Sequence, residues 1–303
     1  MRQGDLPYET FERFLADNPE LRHVELQGEG EPLMHARFFD MVSACRARNI
    51  RVSIITNGSL LGEEQVARLI EAPVESIHVS LESSDPEEFR AIRGGKFAKV
   101  VSGLRLLMER RNALGKKRPT VGFSVTVLRR TLGAMDGIVA LYRELGLDGG
   151  ISLQPLQDME CYTKNYTASM LADLVPQDLW STYAPDAYEK VGQLPVRIGA
   201  ASFYGALFGN FDPQGGACPW LERGAYLNID GAESGCCFMK SASSAFGTVS
   251  VDSPESIAAR RKALSDALRD GVIPEPCRGC DVATTVTGNR ARRKLSLLTG
   301  EDG

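Results

Sequence analysis

The stretch His23-Val24-Glu25-Leu26-Gln27, running directly into Gly28-Glu29-Gly30-Glu31-Pro32, decides how this chain is read. A short run of strand-forming residues that ends on two glycines and a proline is a strand entering a strand-to-helix turn. The same pattern recurs downstream. Runs rich in Val, Ile, Leu or Ser/Thr predict strands over 23–27, 52–56, 76–81, 120–127 and 151–155. Between them, helical periodicity predicts helices over 36–48, 63–71, 96–114 and 134–145. Strands alternating with helices form parallel βαβ units, and the apolar character of these strands fits either a barrel or a doubly wound sheet. Both architectures bind ligands at the carboxyl edge of the strands.

Several polar groups fall on that edge. Gly28 and Gly30 let a ligand approach the backbone, Glu31 offers a carboxylate to an ammonium group, and Pro32 fixes the turn. The second strand ends at Thr56-Asn57-Gly58, the third at Ser80-Leu81-Glu82, and Arg93-Gly94-Gly95 follows. Together these outline a site for a small zwitterionic ligand that also carries hydroxyls. The three histidines, His23, His35 and His78, do not cluster and read as structural.

The 303 residues are 43% hydrophobic, enough for one large domain and a smaller one. A net charge of -4 gives no general attraction to nucleic acid or to anionic membranes, so neither is expected as a partner. No apolar run reaches the length of a bilayer span, and the first residues lack a signal-peptide core, which makes the cytoplasm the expected location.

Five of the seven cysteines lie between 218 and 280. That crowding fits a local thiolate site in a reducing compartment better than a disulfide framework. Cys218 and Cys236 have 17 residues between them, around a turn at Asp230-Gly231, and Cys277 and Cys280 form a CxxC. Four thiolates arranged in this way suit zinc or a cubane iron-sulfur cluster. Cys237 is a spare neighbour that could exchange roles with Cys236, Cys45 reads as a core thiol, and Cys161 is isolated. The aromatic residues between Tyr162 and Phe211 sit in turn-rich sequence and read as packing or as a substrate wall.

Taken in order, Gly28-Glu29-Gly30-Glu31-Pro32, Thr56-Asn57-Gly58, Ser80/Glu82 and Arg93-Gly94 resemble the radical S-adenosylmethionine (SAM) superfamily. The terminal cysteines, with Pro219-Trp220 after the first, resemble its SPASM/twitch auxiliary-cluster domain in the shortened, twitch form. The resemblance implies an α/β chain: a partial TIM-like (β/α) barrel lacking its first strand over 1–156, then a bridging region over 157–217. A twitch-like β-hairpin plus helix domain over 218–283 and a tail over 284–303 complete it.

It further implies SAM held by Gly28, Gly30, Glu31, Pro32, Asn57, Ser80, Glu82 and Arg93, and an auxiliary 4Fe-4S cluster on Cys218, Cys236, Cys277 and Cys280. The implied reaction is generation of a 5'-deoxyadenosyl radical that abstracts hydrogen from a peptide or small-molecule substrate, with an electron donor such as flavodoxin or ferredoxin. The family's CxxxCxxC, which holds the catalytic 4Fe-4S cluster, is missing from this sequence, so that cluster is expected only if the motif exists upstream. Three readings follow. One is an enzyme whose sequence starts late and is inactive as truncated, another a non-catalytic iron-sulfur or zinc scaffold descended from such an enzyme, and the third a zinc-stapled α/β protein.

Overall fold

The computed structural model describes residues 4–28, 30–196, 218–239, 242–280 and 282–288. Its elements run α1 (Tyr8–Asp17), β1 (His23–Leu26), α2 (Phe38–Ala47), β2 (Arg51–Thr56), α3 (Glu63–Glu71), β3 (Val74–Ser80), α4 (Pro86–Arg93), α5 (Phe97–Ala113), β4 (Thr120–Val127), α6 (Met135–Glu144) and β5 (Ile151–Pro155). The chain divides into two compact units: Glu20–Gln157 with Tyr166–Phe203, and Met1–Pro19 with Asp158–Asn165 and Tyr204–Gly303.

In the first unit the five strands are all parallel and lie in sequence order, β1-β2-β3-β4-β5. Right-handed crossovers that always step the same way leave every helix on one face. A doubly wound sheet would need a reversal of strand order, and among the described residues there is none. The result is a singly wound partial (β/α) barrel.

The register divides the sheet by chemistry. Val24, Leu26, Val52, Ile54, Ile77, Val79, Val121, Phe123 and Val125 share one face. Helices cover it: Phe123 meets Tyr142 of α6 edge to face with centroids 6.2 Å apart, and Val79 and Val100 of α5 both crowd Gly58. His23, Glu25, Ser53, Ser76, His78, Ser80, Ser124, Thr126, Ser152 and Gln154 share the other face. The strands therefore alternate, where the sequence was read as continuously apolar. Gly122 is required by close approach, since a Cβ there would stand 2.1 Å from the Gly150 carbonyl oxygen.

Four helices depart from the sequence expectations. Helix α4 arises because Asp85 caps it, accepting from the Glu87 and Glu88 amides at 2.9 and 2.8 Å, with Pro86 in the first turn and Gly94 closing it at φ +67°. The span expected to be irregular contains three helices, α7 (Glu160–Thr163), α8 (Ala168–Ala172) and the 16-residue α9 (Gln177–Gly192). Pro185 inside α9 breaks the usual sequence signal without ending the helix. The part of the bridge over 197–217 and the tail over 289–303 lie outside the described residues.

The second unit holds a three-stranded antiparallel sheet, β6 (Tyr226–Leu227), β7 (Ala232–Ser234) and β8 (Gly247–Thr248), followed by the helix Pro254–Arg269. Arg261 ties that helix to the sheet, reaching Glu233 at 2.6 Å and the Gly224 carbonyl. Among the described residues no helix is long and apolar enough to cross a membrane.

Candidate functional site

At the carboxyl edge of the barrel strands, Glu31 joins two strand ends. Its Oε1 accepts from the Thr56 hydroxyl at 2.7 Å and the Leu33 amide at 3.1 Å, and its Oε2 accepts from the Asn57 amide at 2.7 Å. A carboxylate has about four acceptor positions, so roughly one remains for a ligand. Pro32 opens the 3₁₀ turn Pro32–Met34 that this carboxylate caps. Gly28 and Gly30 are exposed, and a Cβ on Gly30 would meet nothing within 4 Å, so the turn leaves open space beside its backbone. Glu29 lies outside the described residues. Asn57 turns its Oδ1 to the Ser59 amide at 2.8 Å, and buried Thr56 accepts from Gly58 at 3.1 Å.

One strand over, Ser80 ends β3 on the polar face, opposite Ser124 of β4. Glu82 is buried, with 4% of its side chain exposed, and both its oxygens are forked by Arg93 from the end of α4. The structure thus brings Glu31, Asn57 and Thr56 into one hydrogen-bonded group, and Glu82 and Arg93 into a second. Sequence reasoning named Thr56 only as part of a strand end. Its role follows from the register, which sets the β1 and β2 ends side by side.

The polar face below this rim carries Glu25, which sequence reasoning did not single out, and two histidines it read as structural. Glu25 buries its Oε1 without a hydrogen-bond partner, and burial pushes its carboxyl up to about 8. His23 bonds Ser53 at 2.6 Å, and burial together with the nearby Arg51 charge pulls it down to about 4. His78 bonds the Gly149 carbonyl at 3.2 Å and is lowered by burial. The period-two alternation of Ser76, His78 and Ser80 was the available signal.

In the second unit, Cys218, Cys236, Cys277 and Cys280 line one cavity whose other walls are apolar, among them Trp220, Leu221, Met239 and Leu268. Cys218 precedes the short helix Pro219–Arg223, and the Trp220 and Leu221 amides donate to its sulfur. The Phe238 amide donates to Cys236. The CxxC closes as a turn, with the Cys280 amide donating to the Cys277 carbonyl at 3.2 Å and Gly279 at φ +76°, a conformation that favours glycine. Burial raises the Cys218, Cys236 and Cys277 thiols, Cys277 to about 12, and the neighbouring sulfurs add to each shift. Among the described residues no three His, Cys, Asp or Glu side chains stand placed as ligands to a single metal ion. Cys237 does not line the cavity; the Tyr162 hydroxyl donates to its carbonyl at 3.3 Å. Cys45 is fully buried in α2, and the Cys161 side chain lies outside the described residues.

Comparison with known proteins matches residues 4–136 to the radical SAM superfamily. Over 180 residues the chain is 28% identical to the tungsten-containing aldehyde ferredoxin oxidoreductase cofactor-modifying protein of Pyrococcus furiosus, covering 57% of this chain and 50% of that protein. Over 120 residues it is 32% identical to mycofactocin maturase MftC of Mycobacterium ulcerans, covering 39% of this chain and 31% of that one. The chain therefore spans about half, or less, of the length of these relatives. The crystal structure of Streptococcus suis SuiB bound to S-adenosylmethionine aligns with a TM-score of 0.60 at 16% identity, over 89% of this chain and 61% of that chain, a likeness of fold. Family match and curated relatives agree with the barrel topology, and residues 4–136 form a radical SAM superfamily domain.

Proposed function

We propose that this chain is the barrel and auxiliary-cluster portion of a cytoplasmic radical SAM maturase acting on a peptide substrate, with SAM at the barrel rim and one 4Fe-4S cluster on Cys218, Cys236, Cys277 and Cys280. The observation that carries this reading is the convergence of four thiols on one apolar cavity. Burial and neighbouring sulfurs raise the Cys218, Cys236 and Cys277 thiols, which places them poorly as free thiolates, and a cationic centre removes that repulsion. Four thiolates can ligate either zinc or a cluster, and the radical SAM match of residues 4–136 favours the cluster. Amides donating to Cys218 and Cys236 suit thiolate ligands of such a centre.

The rim residues fit SAM by their chemistry. Exposed backbone at Gly28 and Gly30 and the spare Glu31 acceptor suit its amino group, the Ser80 hydroxyl suits its ribose, and the Glu82–Arg93 pair offers a cation beside its carboxylate. Bound to a cluster with an open iron, SAM supplies the hydrogen-abstracting radical. A peptide substrate is supported by the relative named a maturase and by SuiB, whose structure is known with the precursor peptide SuiA. A ferredoxin or flavodoxin is the proposed electron donor.

The lack of a CxxxCxxC in the 303 residues favours a second reading, a non-catalytic scaffold that keeps the cysteine-bound centre. Anaerobic reconstitution separates both from a zinc protein. We expect about four irons and four sulfides per chain with broad visible absorption. Tightly bound zinc with no cluster would overturn the cluster assignment.

A further inference from the structure

A cleft of about 440 Å³ opens where the parallel strands begin, at the edge opposite the proposed SAM rim. Arg46 comes from α2, Arg51 from the start of β2, and Lys116, Lys117 and Arg118 from the segment leading into β4. Glu75 is the one carboxylate in the lining. Five cations against one acid is a strong local excess on a chain whose net charge is -4.

Internal pairing accounts for only part of that excess. Arg118 meets Glu75 at 2.5 Å, and Lys116 meets Glu71 at 2.9 Å and the Ile70 carbonyl at 3.0 Å. Among the described residues the side chains of Arg46, Arg51 and Lys117 form no ion pair or hydrogen bond. The arginine at 51 is felt through the sheet, where its charge helps to lower His23. Like charges gathered in a concave, partly apolar site repel one another and concentrate the field on whatever anion enters. Ile50, Ile70 and Val74 supply the apolar part of the lining.

From this arrangement we infer a binding site for a phosphorylated small molecule, a di- or triphosphate with an apolar or ring-bearing body. Guanidinium forks match phosphate oxygens in pairs, lysines add point charge, and the apolar lining accommodates the body. The volume falls in the range of small-molecule sites, about 300–1,000 Å³. The inference is independent of the SAM and cluster assignments, because no residue of either lines the cleft.

Calorimetric titration of the full chain with pyrophosphate, ADP and adenosine tests it. Pyrophosphate and ADP are expected to bind saturably and more weakly as salt rises, and adenosine is not. The double substitution Arg51→Ala/Lys117→Ala removes two exposed cations and should weaken pyrophosphate binding by about tenfold or more with the melting temperature unchanged. Should that variant fold poorly, Arg46→Gln alone should weaken binding in the same direction. Ser80→Ala, at the other edge of the strands, should leave pyrophosphate binding intact. Absence of saturable binding, binding undiminished in these variants, or tighter binding of hexaglutamate or of an oligonucleotide than of ADP would overturn the proposal.

Discussion

On β1, Glu25 points to the same face as Ser53 and buries an oxygen with no partner, so folding holds its proton up to about pH 8. The unfolded chain releases that proton near the ordinary glutamate range, and between the two values the native state binds more protons than the unfolded one. Stability from this group is therefore present at low pH and lost as pH rises through about 8. His23, held near 4, acts with the opposite sign, but only below the ordinary histidine range. From pH 6.5 to 8.5 the Glu25 effect should stand alone between these two. Glu25→Gln should flatten the decline of melting temperature over that interval and melt higher than the parent at its upper end, by about 2–4 °C per kcal/mol recovered. Parallel melting curves would show the carboxyl to be ionised in the fold. Glu31 gives a second test. Its carboxylate accepts from Thr56, Leu33 and Asn57, so Glu31→Gln sets an amide donor against a donor at one of them. We expect a loss of about 1–3 kcal/mol in chemical denaturation, with no SAM present, because the bond joins two strand ends.

The CxxC turn and the β6–β7 hairpin bring their cysteines to one cavity, so the proposed cluster and the packing around it would stand or fall together. Cys277→Ala or Cys280→Ala should lose most reconstituted iron and lower the melting temperature of the second unit. Cys45→Ala, in the core of α2, should keep full iron content. This element was readable from spacing alone, since the CxxC, the glycine turn and the 17-residue gap are all local. The helices and strands of the barrel were equally readable where periodicity was clean, as at Glu63–Glu71 and Thr120–Val127. Helix α4 was missed because its signal is a cap rather than a period: Asp85, Pro86 and Gly94 mark its ends. Helix α9 was missed because Pro185 interrupts it. The Glu31–Thr56 bond and the polar sheet face were not legible, because each depends on which strands lie side by side and in what register.

Across the whole molecule, the supply of thiolates limits the chemistry. A SAM-cleaving cluster takes three cysteines and leaves one iron open, and the sequence holds no CxxxCxxC. Four of the seven cysteines line the cavity of the second unit, Cys45 is fully buried with its thiol raised to about 12, and Cys161 and Cys237 are the two left over. The three cysteines outside that cavity form no CxxxCxxC. The 303-residue chain, reconstituted and treated with dithionite and SAM, should therefore yield no 5'-deoxyadenosine above a protein-free control. Binding of SAM itself is a separate matter, because the rim residues are present, and weak binding that falls further in Ser80→Ala would mark the rim as the contact. Among the described residues β1 pairs only with β2, leaving its other edge without a strand partner. Joining a strand and a CxxxCxxC ahead of residue 1 should then raise iron by about four per chain and bring 5'-deoxyadenosine formation with it. Nucleoside produced by the 303 residues alone would sink this account, and an extended chain that gains iron without cleaving SAM would leave the scaffold reading in front.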